Sequence, residues 1–117
     1  MHPRIKSFIY AFKGLIVLFK EEPHARFHLC AAIVAIVLGI YLKISTGEWL
    51  SVIFCIGLVI ATEAINSAIE NLGDAISKEY HVHIEKAKDL GAAGVLLAAV
   101  TATIVGGIIF IPKFFDL

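Results

Sequence analysis

The sequence predicts an all-α membrane protein: an N-terminal amphipathic surface helix followed by three membrane-spanning helices, in a single domain over residues 1–117. Three observations carry this reading. Of the 117 residues, 59% are hydrophobic and 17% charged, against about 25% charged in soluble domains, and the mean hydropathy is +0.88. Three stretches hold no Asp, Glu, Lys or Arg: 29–42 (14 residues), 49–62 (14 residues) and 90–111 (22 residues). The first twenty residues repeat apolar side chains at helical spacing. Together these exclude disorder, a collagen-like fibre, a disulfide scaffold and a free-standing soluble domain. Ten Lys and Arg balance ten Asp and Glu, so no net basic field points to nucleic acid. Cys30 and Cys55 lie inside apolar runs and behave as small hydrophobes, not as a disulfide framework.

The surface helix spans about residues 4–20. Ile5, Phe8, Ile9, Phe12, Leu15, Ile16 and Phe19 follow an i, i+3, i+4, i+7 pattern, with Arg4, Lys6, Lys13 and Lys20 mainly on the other side. A basic amphipathic helix of this kind lies in the membrane interface. It is not a signal peptide, because its basic residues recur through Lys20 and no short apolar core with a small-residue cleavage site follows. Pro23 marks a break before the first span.

The spans are read as about 24–43, 49–73 and 89–111. A crossing needs roughly 20 apolar residues, so the third stretch suffices alone. The first reaches full length if its helix begins near Glu22. The second has to continue through Glu63 toward Leu72, which carries an ionisable residue to membrane depth. Buried core helices are the alternative for the two short stretches, but the chain has too little polar surface to wrap them. With the N-terminus inside, eight of the ten positive charges are cytoplasmic; the positive-inside rule therefore places the N-terminus in the cytoplasm and the C-terminus outside, with Trp49 at the outer interface. Gly91, Ala92, Ala93 and Gly94 permit close helix approach at the start of the third span, where Asp89 is read as the N-cap.

The informative segment is Thr62-Glu63-Ala64-Ile65-Asn66-Ser67-Ala68-Ile69-Glu70-Asn71-Leu72-Gly73-Asp74. On a helix, Glu63, Asn66, Glu70 and Asp74 fall within about 80° of arc. Such a face cannot look at lipid tails and requires a protein interior, a wet crevice or another subunit. Glu63 lies roughly 21 Å beyond Trp49 and Glu70 about 10 Å further. Glu63 is thus inside the inner leaflet, where burial favours a usable general base, and Glu70 is at the cytoplasmic boundary. Hydrogen bonding between helices is the competing role, most readily for Asn66 and Ser67. On the same side, Glu22 and Glu70 form by position the carboxylate pair suited to Mg²⁺, and Lys88 is a point charge suited to phosphate. His81-Val82-His83 is a weak metal motif. The roles of His24, His28 and His83 stay open. No Walker A sequence, kinase catalytic loop, nucleophile elbow or zincin motif is present. A transport or assembly subunit moving protons or ions through Glu63 and Glu70 is the rival reading. It predicts polar groups along the whole path, yet the outer half of the second span, 49–60, holds only Ser51 and Cys55.

Glu63-Ala64-Ile65-Asn66-Ser67-Ala68-Ile69-Glu70, followed by Lys86-Ala87-Lys88-Asp89-Leu90-Gly91-Ala92-Ala93, resembles the prokaryotic diacylglycerol kinase family, which also contains the undecaprenol kinases. The resemblance covers nearly the whole chain. It implies an ATP- and Mg²⁺-dependent kinase of a membrane lipid alcohol, built as a homotrimer with sites between subunits. It implies Glu63 as general base toward the lipid hydroxyl, with Asn66 helping to position it, and Glu22 and Glu70 as the carboxylates that hold Mg²⁺ on ATP. Tyr10, Glu79, His81, Lys88 and Asp89 match nucleotide-binding positions, which makes His81 a nucleotide contact in preference to a metal ligand. Position 28 is His where diacylglycerol-specific members can carry an acid. Arg26-Phe27-His28 and Ile109-Phe110-Ile111-Pro112-Lys113 look more like the undecaprenol branch, and residues 66–93 more like the diacylglycerol branch, so diacylglycerol and undecaprenol both stand as substrates.

Overall fold

A computed structural model describes residues 2–116. The chain forms four helices, α1 (Pro3–Glu21), α2 (Pro23–Tyr41), α3 (Thr46–Ile76) and α4 (Val82–Phe115). The last three are long and apolar enough to cross a membrane.

Local chemistry sets the boundaries. Pro3 opens α1 at a position where its missing N–H costs nothing, and His2 Nδ1 accepts from the Arg4 N–H at 3.2 Å. Glu22 is extended, with φ −109° and ψ 107°, as a residue before proline prefers. Pro23 then restarts the helix as α2. Arg26 Nη1 donates to the carbonyls of Phe19 (3.1 Å) and Lys20 (2.8 Å). These belong to the last turn of α1, whose carbonyls lack partners within the helix. One guanidinium therefore ties α2 to the end of α1 across the Glu22 hinge.

Helix α2 ends at Tyr41 rather than at residue 43, and the chain turns through Lys43 at φ 52°. Gly39 is required beside this turn: a Cβ there would stand 2.7 Å from the Trp49 indole. Helix α3 starts three residues before Trp49 because Ser45 and Glu48 form a reciprocal capping box, with the Ser45 N–H donating to Glu48 Oε1 at 2.9 Å and the Glu48 N–H to Ser45 Oγ at 3.2 Å. As expected, α3 runs without interruption through Glu63 and past Leu72.

Asp89 is not an N-cap. Helix α4 begins at Val82, with His81 Nδ1 accepting from the His83 N–H at 3.2 Å. The physical reason is that Ile84-Glu85-Lys86-Ala87-Lys88 contains good helix formers and no breaker; loss of charge after Asp89 marks where hydrocarbon can begin, not where the helix begins.

Helix α3 is central: α4 packs along it, and α1 and α2 also touch it. Helices α2, α3 and α4 run antiparallel in succession. Gly39 at the end of α2 meets Trp49 at the start of α3, and His28 near the start of α2 meets Glu63 far along α3. The α3–α4 pair is pinned at both ends. Lys113 Nζ lies 3.2 Å from Glu48 Oε1, and Lys88 Nζ lies 2.7 Å from Asp74 Oδ1. From Glu48 to Asp74 the helix rises roughly 39 Å, more than the roughly 30 Å of a hydrocarbon core, so a core centred on α3 leaves both ion pairs outside it.

The buried apolar cluster of Ile44, Val52 and Ile109, joined by Trp49, Val105 and Phe110, sits toward the Glu48 end. Elsewhere large apolar side chains remain exposed on the chain. This is what helices dissolved in hydrocarbon require, since lipid tails are as apolar as leucine and hide nothing by burial. On α1, Leu18 is buried while Ile5, Phe8, Ile9, Phe12 and Ile16 are exposed.

Candidate active site

The face of α3 predicted to be polar is where the structure departs from an apolar bundle. Glu63 is 5% exposed and is the buried charged residue among those described. Measured from Asp74, it lies about 16 Å along the helix. Hydroxyls at comparable depth are satisfied on their own helices: Thr62 Oγ1 donates to the carbonyls of Leu58 and Val59 at 2.9 Å, and Thr103 Oγ1 to that of Ala99 at 2.8 Å. Glu63 Oε1 and Asn66 Oδ1 are different. Both are buried acceptors with no hydrogen-bond partner. Such atoms are costly away from water, and these two stand one turn apart on one helix.

The nearest charge partner of Glu63 is His28, whose Nε2 stands 3.1 Å from Oε1. The two stand at ion-pair distance, and Oε1 takes no hydrogen bond from the described residues. His28 also lines an apolar crevice of about 440 Å³ between α2, α3 and α4, together with Phe27, Val59 and Thr103. Its imidazole thus connects the crevice to the carboxylate.

Asn66 is tied to its neighbours on both sides. Its Nδ2 donates to Glu70 Oε1 at 3.4 Å, and its Oδ1 lies against Gly91 of α4. Glu63, Asn66, Glu70 and Asp74 therefore do share one face, graded from buried to exposed toward the Asp74 end. Glu22 approaches the same stretch of α3 from the α1–α2 hinge. With Glu21 it lines a second crevice, about 340 Å³, whose far wall includes Ser67 and Asn71, the residues flanking Glu70 by three before and one after.

The remaining sequence-predicted residues are spread around this end. Lys88 is engaged by Asp74, whose carboxyl is held below the usual carboxylate range by the Lys88 hydrogen bond and charge. Asp89 is exposed on α4. Glu79 and His81 lie in the five-residue α3–α4 connection and are exposed, with the Glu79 N–H donating to Ser77 Oγ at 3.2 Å. Tyr10 is exposed on α1, with the Lys13 ammonium 6.0 Å from its ring centroid. Thus Asn66 and Glu70 are joined directly, Glu63 stands one turn before Asn66 and meets His28 instead, and Lys88 is joined to Asp74, the next residue of the stripe. Tyr10, Glu79, His81 and Asp89 make no recorded contact with them. Of the three histidines that sequence reasoning leaves without a role, His28 is the one that meets the stripe. Its signal was its position: an ionisable group one residue before the charge-free stretch of the first span.

Fold and site together define a small integral membrane protein with a carboxylate set at one end of its helices. Residues 9–110 match the family described as prokaryotic diacylglycerol kinase. Among similar proteins, the undecaprenol kinase of Bacillus subtilis is 34% identical over 108 residues, covering 92% of this chain and 88% of that one. The diacylglycerol kinase of Escherichia coli K12 is 36% identical over 100 residues, covering 86% and 82%, and that of Haemophilus influenzae is 37% identical over 107 residues, covering 91% of each. The chain belongs to the prokaryotic diacylglycerol kinase family and is a lipid kinase. The rival expectation of a transport or assembly subunit has no support in these relatives.

Proposed function

We propose that this kinase transfers the γ-phosphoryl group of Mg²⁺-bound ATP to the hydroxyl of diacylglycerol or undecaprenol at the cytoplasmic face of the membrane, with Glu63 as general base. The observation that carries the reading is a carboxylate 5% exposed on a helix long and apolar enough to cross a membrane, with one oxygen lacking a hydrogen-bond partner. A carboxylate so placed is expensive as a structural element and chemically apt as a proton acceptor for an alcohol arriving from the bilayer.

In the proposed step the lipid hydroxyl donates its proton to Glu63 as the oxygen bonds to phosphorus, while the bond from phosphorus to the departing diphosphate oxygen breaks. Asn66, three residues on and held beside Glu70 by its amide, is proposed to help position the reacting group. Phosphoryl transfer asks the protein mainly for positioning and charge neutralisation. Mg²⁺, when bound, supplies neutralisation of the phosphate oxygens. Carboxylates are the donors this hard cation takes, and beside a nucleotide it needs only one or two of them. That fits a chain in which no group of three His, Cys, Asp or Glu converges among the described residues, while Glu22 borders the stretch of α3 that carries Glu70. Glu22 and Glu70 would hold the metal. Tyr10, Glu79, His81, Lys88 and Asp89 are proposed to bind the nucleotide, Lys88 by exchanging Asp74 for phosphate.

The positive-inside distribution supports a cytoplasmic N-terminus and an outer C-terminus, with α1 lying in the cytoplasmic interface. A homotrimer is proposed as the working unit; the two partnerless acceptors support sites completed by something beyond one chain. The test is γ-labelled ATP with Mg²⁺ and purified protein in detergent, offered diacylglycerol and undecaprenol in competition. Label on one of the two lipids is expected. Label on neither overturns the reading.

A further inference from the structure

We infer that His28 is a positioning residue for the Glu63 carboxylate, setting it at the inner end of the apolar crevice; the inference rests on the reading of Glu63 as base. A carboxylate in hydrocarbon needs a compensating group, and the surroundings of Glu63 offer few. The first span holds no Asp, Glu, Lys or Arg over 29–42, nor does α4 over 90–111. On α3 the next acid is Glu70, two turns on and already accepting from Asn66. Asn66 offers Glu63 no recorded hydrogen bond, its amide being directed at Glu70. The imidazole of His28, 3.1 Å away, is the one group of opposite potential charge recorded against Glu63 among the described residues.

The geometry separates this role from simple packing. His28 is itself mostly buried, its side chain 19% exposed against 7% for Glu63. The Phe27 ring meets it edge-on at 5.5 Å, which restricts the imidazole plane. The same ring forms part of the crevice wall with Ala31, Val59 and Thr103. His28 thus bears on the carboxylate from the α2 side, while Oε1 takes no hydrogen bond from the described residues and can accept from an incoming hydroxyl. The polar end of the side chain does this work, so shape alone does not replace it.

The experiment compares wild type, His28→Leu, His28→Gln and Glu63→Gln for lipid phosphorylation in detergent, with thermal unfolding as the check on folding. Leu keeps the volume and removes the polar nitrogen; the Gln amide can reach the place of Nε2. His28→Leu is expected to lower kcat about 10- to 100-fold, as misplacement of a reacting group does, with KM for Mg·ATP and for lipid within about twofold of wild type. His28→Gln is expected to recover most of that loss. His28→Leu at wild-type kcat while Glu63→Gln is inactive overturns the inference and spares the kinase reading. A rise in lipid KM with kcat unchanged also overturns it, as does His28→Gln performing no better than His28→Leu. Wild-type protein that labels neither lipid defeats the kinase reading and the inference with it.

Discussion

Gly91 of α4 lies directly against the Oδ1 of Asn66 on α3, in a space that a Cβ would invade. The small-residue cluster that opens the third span therefore does more than let two helices approach. At this position it makes room for a polar side chain between them, and that side chain donates to Glu70.

Gly91→Ala should push Asn66 from its place and weaken its hydrogen bond to Glu70. The expected result is a fall in kcat of about tenfold or more, with an overpacking cost of about 1–3 kcal/mol. Turnover and thermal unfolding in detergent check both. Gly94, which has open space around its Cβ position within the chain, is the comparison: Gly94→Ala should leave the unfolding temperature of the monomeric fold at or above that of wild type.

Glu22→Gln and Glu70→Gln each remove one proposed metal ligand. Each should raise the Mg²⁺ concentration at half-maximal rate by about tenfold or more, with the fold retained. A Mg²⁺ titration at fixed ATP measures this. Full turnover of either variant at limiting Mg²⁺ contradicts that residue's role.

Much of this architecture could be read from residue order. The three charge-free stretches lie along α2, α3 and α4, and Glu63, Asn66 and Glu70 mark the polar face of α3 that the sequence singles out as a candidate site. What was hidden follows from the limits of local reading. Asp89 is not the cap because charge loss and helix start are different events: His81 caps a helix whose first turns carry Glu85, Lys86, Lys88 and Asp89 before the charge-free stretch begins. The capping box at Ser45 and Glu48 was legible as S-x-x-E but was overshadowed by Trp49 as an interface marker. The pairings of His28 with Glu63 and Lys88 with Asp74 join residues far apart in sequence. Only the antiparallel packing of α2 and α4 on α3 brings them together.

The Asp74–Lys88 pair gives a pH prediction. Lys88 keeps the Asp74 carboxyl ionised to lower pH in the folded chain than in the unfolded one. A group depressed in this way contributes stability above its unfolded value of about 3.9, and that contribution disappears as pH falls through the folded value. Asp74→Asn should therefore unfold at a lower temperature than wild type near neutral pH, and the two should converge below about pH 4. An unchanged gap at acid pH contradicts the assignment.

At the opposite end, Ser45→Ala removes the hydroxyl that accepts from the Glu48 N–H. A loss of about 1 kcal/mol in stability is expected, read by thermal unfolding, with kcat unchanged because the cap lies roughly 27 Å along α3 from Glu63.

The most direct test of the account is the rate of phosphoryl transfer from labelled ATP to lipid by Glu63→Gln, measured beside the binding of Mg·ATP by the same purified protein. Loss of at least about 100-fold in kcat with nucleotide binding preserved is the predicted result. Wild-type turnover by Glu63→Gln would contradict the central claim, because the buried carboxylate would then have no part in the chemistry.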